Sequence, residues 1–160
     1  MVVNVKDSSN MLKTYFIAKC TGNSAEVLSR VEHILLILSE QNASRWPDTM
    51  AWQNLLPVWF TERFAPEMTH EQALEWLKEW RSMSSEDKAL AEQQKGWDLF
   101  NWLGWFHPDK RFWSLGSASI KDANVIEVTL LTAEDIFPSG AIQWLFIACG
   151  AISFAKTRSE

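Results

Sequence analysis

The chain has 160 residues, 47% hydrophobic and 22% charged, which suits the core of one domain and is unlike a disordered segment. Its net charge of −5 gathers in the middle: residues 21–100 hold 13 acids against 7 basic groups, a balance that excludes a phosphate-backbone binder and admits a basic protein partner. Two cysteines far apart, Cys20 and Cys149, make neither a disulfide framework nor a zinc signature and fit a reducing, cytoplasmic setting; no apolar run reaches the roughly 18 residues of a membrane span.

Residues 1–10 are expected to fray from a single domain covering 1–160. The apolar piece Tyr15 to Ala18 is too short for a signal segment, and Lys19 interrupts it. "TYFIAKC" (14–20) reads as a strand closed by Thr21-Gly22-Asn23. Ser24 is placed to cap the helix "AEVLSRVEHILLILSEQ", whose apolar stripe is Val27, Val31, Ile34 and Leu38. Asn42 to Asp48 is a loop, after which Asp48 or Thr49 caps "MAWQNLLPVWFTERF"; Pro57 divides that pattern into two short helices. Thr69 caps a third helical region, "HEQALEWLKEWRSM", with Glu71 or Gln72 at the capping-box position. Ser85 caps "EDKALAEQQK", and Gly96 marks a joint.

The last third changes character. "RFWSLGSASI" (111–120) and "VIEVTLL" (125–131) read as strands joined by a turn, Lys121 to Asn124. Pro138-Ser139-Gly140 opens a short apolar helix stopped at Gly150, and "ISFAK" adds a last strand. The fold class is therefore α+β, with an N-terminal helical majority packed on a small, largely antiparallel C-terminal sheet.

Ten tryptophans against one tyrosine set the main question. In "GWDLFNWLGWFHPDKRFW" (96–113), a helix over 97–106 would be apolar nearly all round, with Asp98 and Asn101 as the polar exceptions. Such a helix belongs inside a protein, so these aromatics are expected to build core. The competing expectation is a Trp-rich groove for a carbohydrate or another small flat ligand, which would leave several indole faces wet.

Catalytic and metal-binding patterns are sparse. His70 has Leu74 four residues on, so a two-histidine zinc helix is missing, and no Gly-rich phosphate loop or nucleophile elbow occurs. No catalytic, cofactor or metal residue is assigned. His107-Pro108-Asp109 matches the tripeptide of J-domain co-chaperones, but no basic residue precedes it between Trp97 and Phe106, so it is read as a turn. The surface feature that stands out is Glu71, Glu75 and Glu79, spaced to share one helix face, with Glu67 just upstream. Lys78 is positioned to soften the stripe, while Ala73, Leu74, Trp76, Leu77 and Trp80 are expected to face inward. The stripe reads either as a solvated face or as a docking surface for a basic partner.

"LPVWF" (56–60), "WDLFNWL" (97–103), "RFW" (111–113), Asp122-Ala123-Asn124 ahead of a strand, and "PSGAIQWLFIACGA" (138–151) together carry a resemblance. The chain is similar over these residues to small immunity proteins encoded beside bacterial polymorphic or contact-dependent toxins. The resemblance implies a non-enzymatic protein that binds and blocks a cognate toxin, often a nuclease. It assigns no site residue. Glu67, Glu71, Glu75 and Glu79 are the partner-binding candidates on the separate ground of their charge.

Overall fold

Four strands form one antiparallel sheet in the order β2-β3-β1-β4. They are β1 (Leu12–Cys20), β2 (Trp113–Asp122), β3 (Val125–Thr132) and β4 (Ala151–Ser159). The coordinates are a computed structural model that describes residues 11–109, 113–134 and 139–159. The fraying expected at 1–10, the strand start at Arg111 and the helix-opening Pro138 lie outside the described residues.

The sheet is late in the chain except for β1, which closes it from the N-terminal side and occupies a central position. Alternation explains this placement. Thr14, Phe16, Ala18 and Cys20 point to one face and are buried, while Lys13 and Lys19 on the other face are exposed. Opposite them in β3 stand Leu130, Val128 and Ile126, also buried. The Thr14 and Thr132 hydroxyls, both buried, satisfy each other at 3.0 Å. Phe16 stacks on Phe154 of β4 at 4.7 Å between centroids.

Helices α1 (Ser24–Ser39) and α7 (Gly140–Ala148) cover the dry face. The stripe of α1 is buried as its spacing requires, at Val27, Val31, Ile34 and Leu38. Its cap is Asn23 rather than Ser24: Asn23 takes a left-handed φ of 58° and its side chain accepts from the Glu26 N–H. Ser24 is the first helical residue, and its hydroxyl donates to the Asp122 carbonyl at 2.6 Å, tying the helix start to the β2–β3 turn. Phe146 of α7 stacks on Phe154 at 4.8 Å.

Between β1 and β2 the chain is helical. Pro57 separates α2 (Thr49–Leu55) from α3 (Val58–Thr61), because it supplies no N–H to continue the ladder. Asp48 caps α2. Then come α4 (His70–Arg81), α5 (Ser85–Lys95, capped by Ser84) and α6 (Leu99–Gly104, capped by Asp98). Trp102 of α6 is the pivot of an aromatic layer, with Phe106 at 4.3 Å, Phe60 at 5.2 Å and Trp144 of α7 at 5.9 Å. Its Nε1–H donates to the Ala141 carbonyl at 3.0 Å, which joins the helical segment to the sheet layer.

Two expectations need correction. The inward face assigned to the third helix is only partly covered. No residue of α4 is fully buried: Ala73, Trp76 and Trp80 are half-buried, and Leu74 is 55% exposed. The two tryptophans meet each other and α5. Trp76 stacks on Trp80 at 6.2 Å, and Lys88 of α5 places Nζ 4.4 Å from the Trp80 ring. The helix expected over 97–106 is also shorter and less enclosed. Asp98 turns back to cap it, so the helix starts at Leu99, and Phe100 and Trp105 remain exposed.

Candidate functional site

The acidic helix is held by local chemistry. Thr69 Oγ1 accepts from the Gln72 N–H at 3.1 Å, and Gln72 Oε1 accepts from the Thr69 N–H at 3.0 Å, a complete capping box. Gln72, not Glu71, therefore completes the box, and Glu71 stays free to project in the first turn, where the helix dipole favours a carboxylate. Glu75 and Glu79 follow at successive turns, and all three are exposed. Glu67 is exposed as well, upstream of the helix. Among the described residues none of the four is in an ion pair, and Lys78 does not close on Glu75. The structure thus brings Glu71, Glu75 and Glu79 onto one face and sets Glu67 apart at a cavity rim.

That cavity, of about 370 Å³, is lined by Glu67 and Glu62 together with Phe64, Leu99 and Phe100. It shares Thr49 and Phe100 with a larger one of about 710 Å³. Trp46 from the loop before α2, and Phe100 and Trp105 from α6 and its end, help line the larger cavity. Phe100 is 58% exposed and Trp105 37% exposed. Trp52 is the floor; it is fully buried, and its Nε1 has no partner among the described residues. Trp46 lies 5.0 Å from Trp52 and 5.0 Å from His107, ring to ring.

Asp48 and Asp109 line the cavity, as does Asn101, and no Lys or Arg among the described residues does. One Asp48 oxygen accepts from the Ala51 N–H at 2.8 Å, which fixes the carboxylate as the α2 cap and leaves the other oxygen available. The His107-Pro108-Asp109 turn closes on itself: the Asp109 N–H donates to His107 Nδ1 at 3.1 Å. The tripeptide is a turn, as its sequence context suggests.

The expectation of a core missed this cavity because it read most of the aromatics of 97–106 as interior; the competing expectation of a Trp-rich groove did not say where it would lie. The available signal was Asn101. A polar residue on a six-residue helix marks a wet face, and Phe100 and Trp105 flank it. Trp52, Trp102 and Trp113 are buried, Trp105 is exposed, and the other six indoles are half-buried.

Candidate chemistry elsewhere is inert. His33 and His70 are exposed and in separate helices. Among the described residues no group of three or more His, Cys, Asp and Glu side chains converges as a metal site would need. Both cysteines are free and buried. Burial pushes the Cys149 thiol up to about 12, against the opposing pull of Arg30 and Arg63, and burial raises Cys20 too. Neither is a ready thiolate nucleophile. No described helix is long and apolar enough to cross a membrane.

Comparison of the chain with protein-family models, with curated proteins and with solved structures finds no match.

Proposed function

We propose that this chain is a non-enzymatic protein-binding module of the immunity or inhibitor kind, which blocks a basic toxin domain in the cytoplasm by occluding its active site. One observation carries the reading: α4 presents Glu71, Glu75 and Glu79 without an ion pair among the described residues, on a helix with no fully buried residue. Leu74 is 55% exposed and Leu77 37% exposed on the same helix, so part of its apolar side is open to a partner. The glutamates steer a basic surface toward it, and the half-wet Trp76 and Trp80 supply the anchor. Carboxylates then occupy the Lys and Arg that a nuclease uses to hold nucleic acid.

The test is charge reversal at Glu71, Glu75 and Glu79 to Lys, measured against a purified basic toxin domain encoded beside this chain's gene. Steering of this kind changes association rates by about 10–1000-fold, so the variant should associate at least tenfold more slowly at low salt and lose its salt dependence. An unchanged rate and salt slope would sink the proposal.

A second reading has its own observation. The aromatic cavity falls within the roughly 300–1,000 Å³ of small-ligand sites, and it favours a neutral carbohydrate or flat ligand stacked on Trp46 or Trp105. Saturable binding of free sugars would support it.

A further inference from the structure

We infer that α4 and α5 form a hairpin that opens and recloses as one unit while the sheet, α1 and α7 stay folded, so that the glutamate face of α4 is displayed only while the hairpin is closed. Burial sets the two helices apart. Every other α-helix among the described residues holds at least one buried residue: seven in α1, Trp52 in α2, Phe60 in α3, three in α6 and five in α7. α4 holds none, and neither does the stretch 85–91 of α5. Segments that bury few apolar groups open at a lower free energy than the core does. Length adds to this. With 12 and 11 residues, α4 and α5 are at or below the roughly 12–15 residues at which an isolated helix is marginal in water.

Two internal features favour opening further. Glu71, Glu75 and Glu79 follow one another at i, i+4, two like-charge pairs that oppose the helix. The Trp80 Nε1–H is shut off from water with no hydrogen-bond partner among the described residues, whereas the Trp102 Nε1–H has the Ala141 carbonyl. Opening returns the Trp80 donor to water, so closure carries a cost that the core indole avoids. Contacts that hold the hairpin closed include short-range ones: the Thr69 box, Ser82 Oγ donating to the Glu79 carbonyl at 2.7 Å, and Ser84 Oγ accepting from the Asp87 N–H at 3.2 Å. Lys88, 4.4 Å from the Trp80 ring, joins α5 to α4 across the short link Ser82-Met83-Ser84 and makes the two helices one unit. A basic partner that grips the glutamates binds only the closed hairpin and raises its population. That consequence rests on the protein-binding reading above; the opening does not.

The test is amide hydrogen exchange of the full chain, resolved by residue, with no ligand added. Central amides of α4 and α5 should be at least tenfold less protected than those of β1 and β3. Ala89→Gly, at an exposed position within α5, should lower protection in α4 as well as α5 at least threefold. Glu75→Gln removes both like-charge pairs and should raise protection in both helices about two- to fivefold. Hairpin amides protected within tenfold of the strands overturn the inference. So does an Ala89→Gly effect on α4 below threefold, or a Glu75→Gln rise below twofold in either helix. The purified toxin domain decides the docking reading separately, since on that reading it should raise hairpin protection at least tenfold. If the toxin binds a chain whose free hairpin opens and leaves that protection unchanged, the opening stands and the docking face does not. If the free hairpin is as protected as the strands while reversal of Glu71, Glu75 and Glu79 still slows the toxin, the docking helix stands and the opening does not.

Discussion

Trp102 and Trp76 should respond very differently to truncation, because one pivots the interior and the other sits on the acidic helix. Trp102 is fully buried among Phe60, Phe64, Phe106 and Trp144, and its Nε1–H reaches the Ala141 carbonyl. Trp102→Phe removes that hydrogen bond. Ala141 lies in the first turn of α7, whose carbonyls also serve the helix ladder, so the loss is about 1 kcal/mol. The missing ring volume in a close-packed cluster adds about 1–2 kcal/mol, and Trp102→Ala should cost about 3–5 kcal/mol in all. For a chain of this length 1 kcal/mol corresponds to about 2–4 °C in Tm, so Trp102→Phe should lower the melting point by about 4–12 °C. Trp76 is half-buried and stacks on Trp80, a contact worth about 0.5–1.5 kcal/mol at most. Trp76→Ala should therefore shift Tm by only a few degrees. Thermal and urea unfolding followed by circular dichroism measure both, with each variant referred to its own folded and unfolded baselines. Equal destabilisation by Trp76→Ala and Trp102→Phe would refute the division of the tryptophans into structural and surface sets.

Gly150 takes a φ of +123°, and an added Cβ would come within 3.1 Å of Val27 Cγ2, so Gly150→Ala should destabilise the fold by more than about 1 kcal/mol in the same titration. Thr69→Ala should cost about 0.5–2 kcal/mol of local helix stability, seen as faster amide exchange across α4 with little change in the global midpoint, since α4 has no fully buried residue. The Cys149 thiol is held at about 12 from an ordinary 9.0. A raised folded value means the neutral thiol stabilises the fold fully below pH 9.0 and that this contribution is lost as pH climbs toward about 12. The urea midpoint should accordingly fall more steeply above pH 9.0 than it does for Cys149→Ala, and native Cys149 should resist alkylation at pH 8.

Legibility followed locality. Pro57 and the Thr69 box are short-range chemistry, and each stands where the sequence puts it; the turn expected over Lys121 to Asn124 tightens to Ala123-Asn124 because β2 runs on to Asp122. Strand alternation in β3 was equally readable, as was the stripe of α1. Caps shifted by a residue where the polar run offered two candidates, as at Asn23-Ser24 and Ser84-Ser85. What the sequence hid is depth. The apolar periodicity of α4 says which side chains share a face but not how fully that face is covered; here Ala73, Trp76 and Trp80 are half-buried and Leu74 is exposed. The same limit applies to Phe100 and Trp105, which share composition with Trp102 and Phe106 but not position. The glutamate stripe needed only helical spacing to be found, whereas the cavity joins a loop residue, Trp46, to residues more than fifty positions later.

The two surfaces gain meaning from being adjacent. An acidic stripe alone is a common solubility device, and an aromatic hollow alone is a common small-ligand site. Here Glu67, upstream of the stripe, lines a cavity that shares Thr49 and Phe100 with the aromatic one. Charge on the helix acts at range and sets how fast a basic partner arrives, an effect that salt screens within about 10 Å. Rings in the cavity act only at contact and set how long it stays, an effect salt touches little. On the proposed reading one basic protein partner would meet both surfaces, and the salt dependence of its association and dissociation rates would tell their contributions apart.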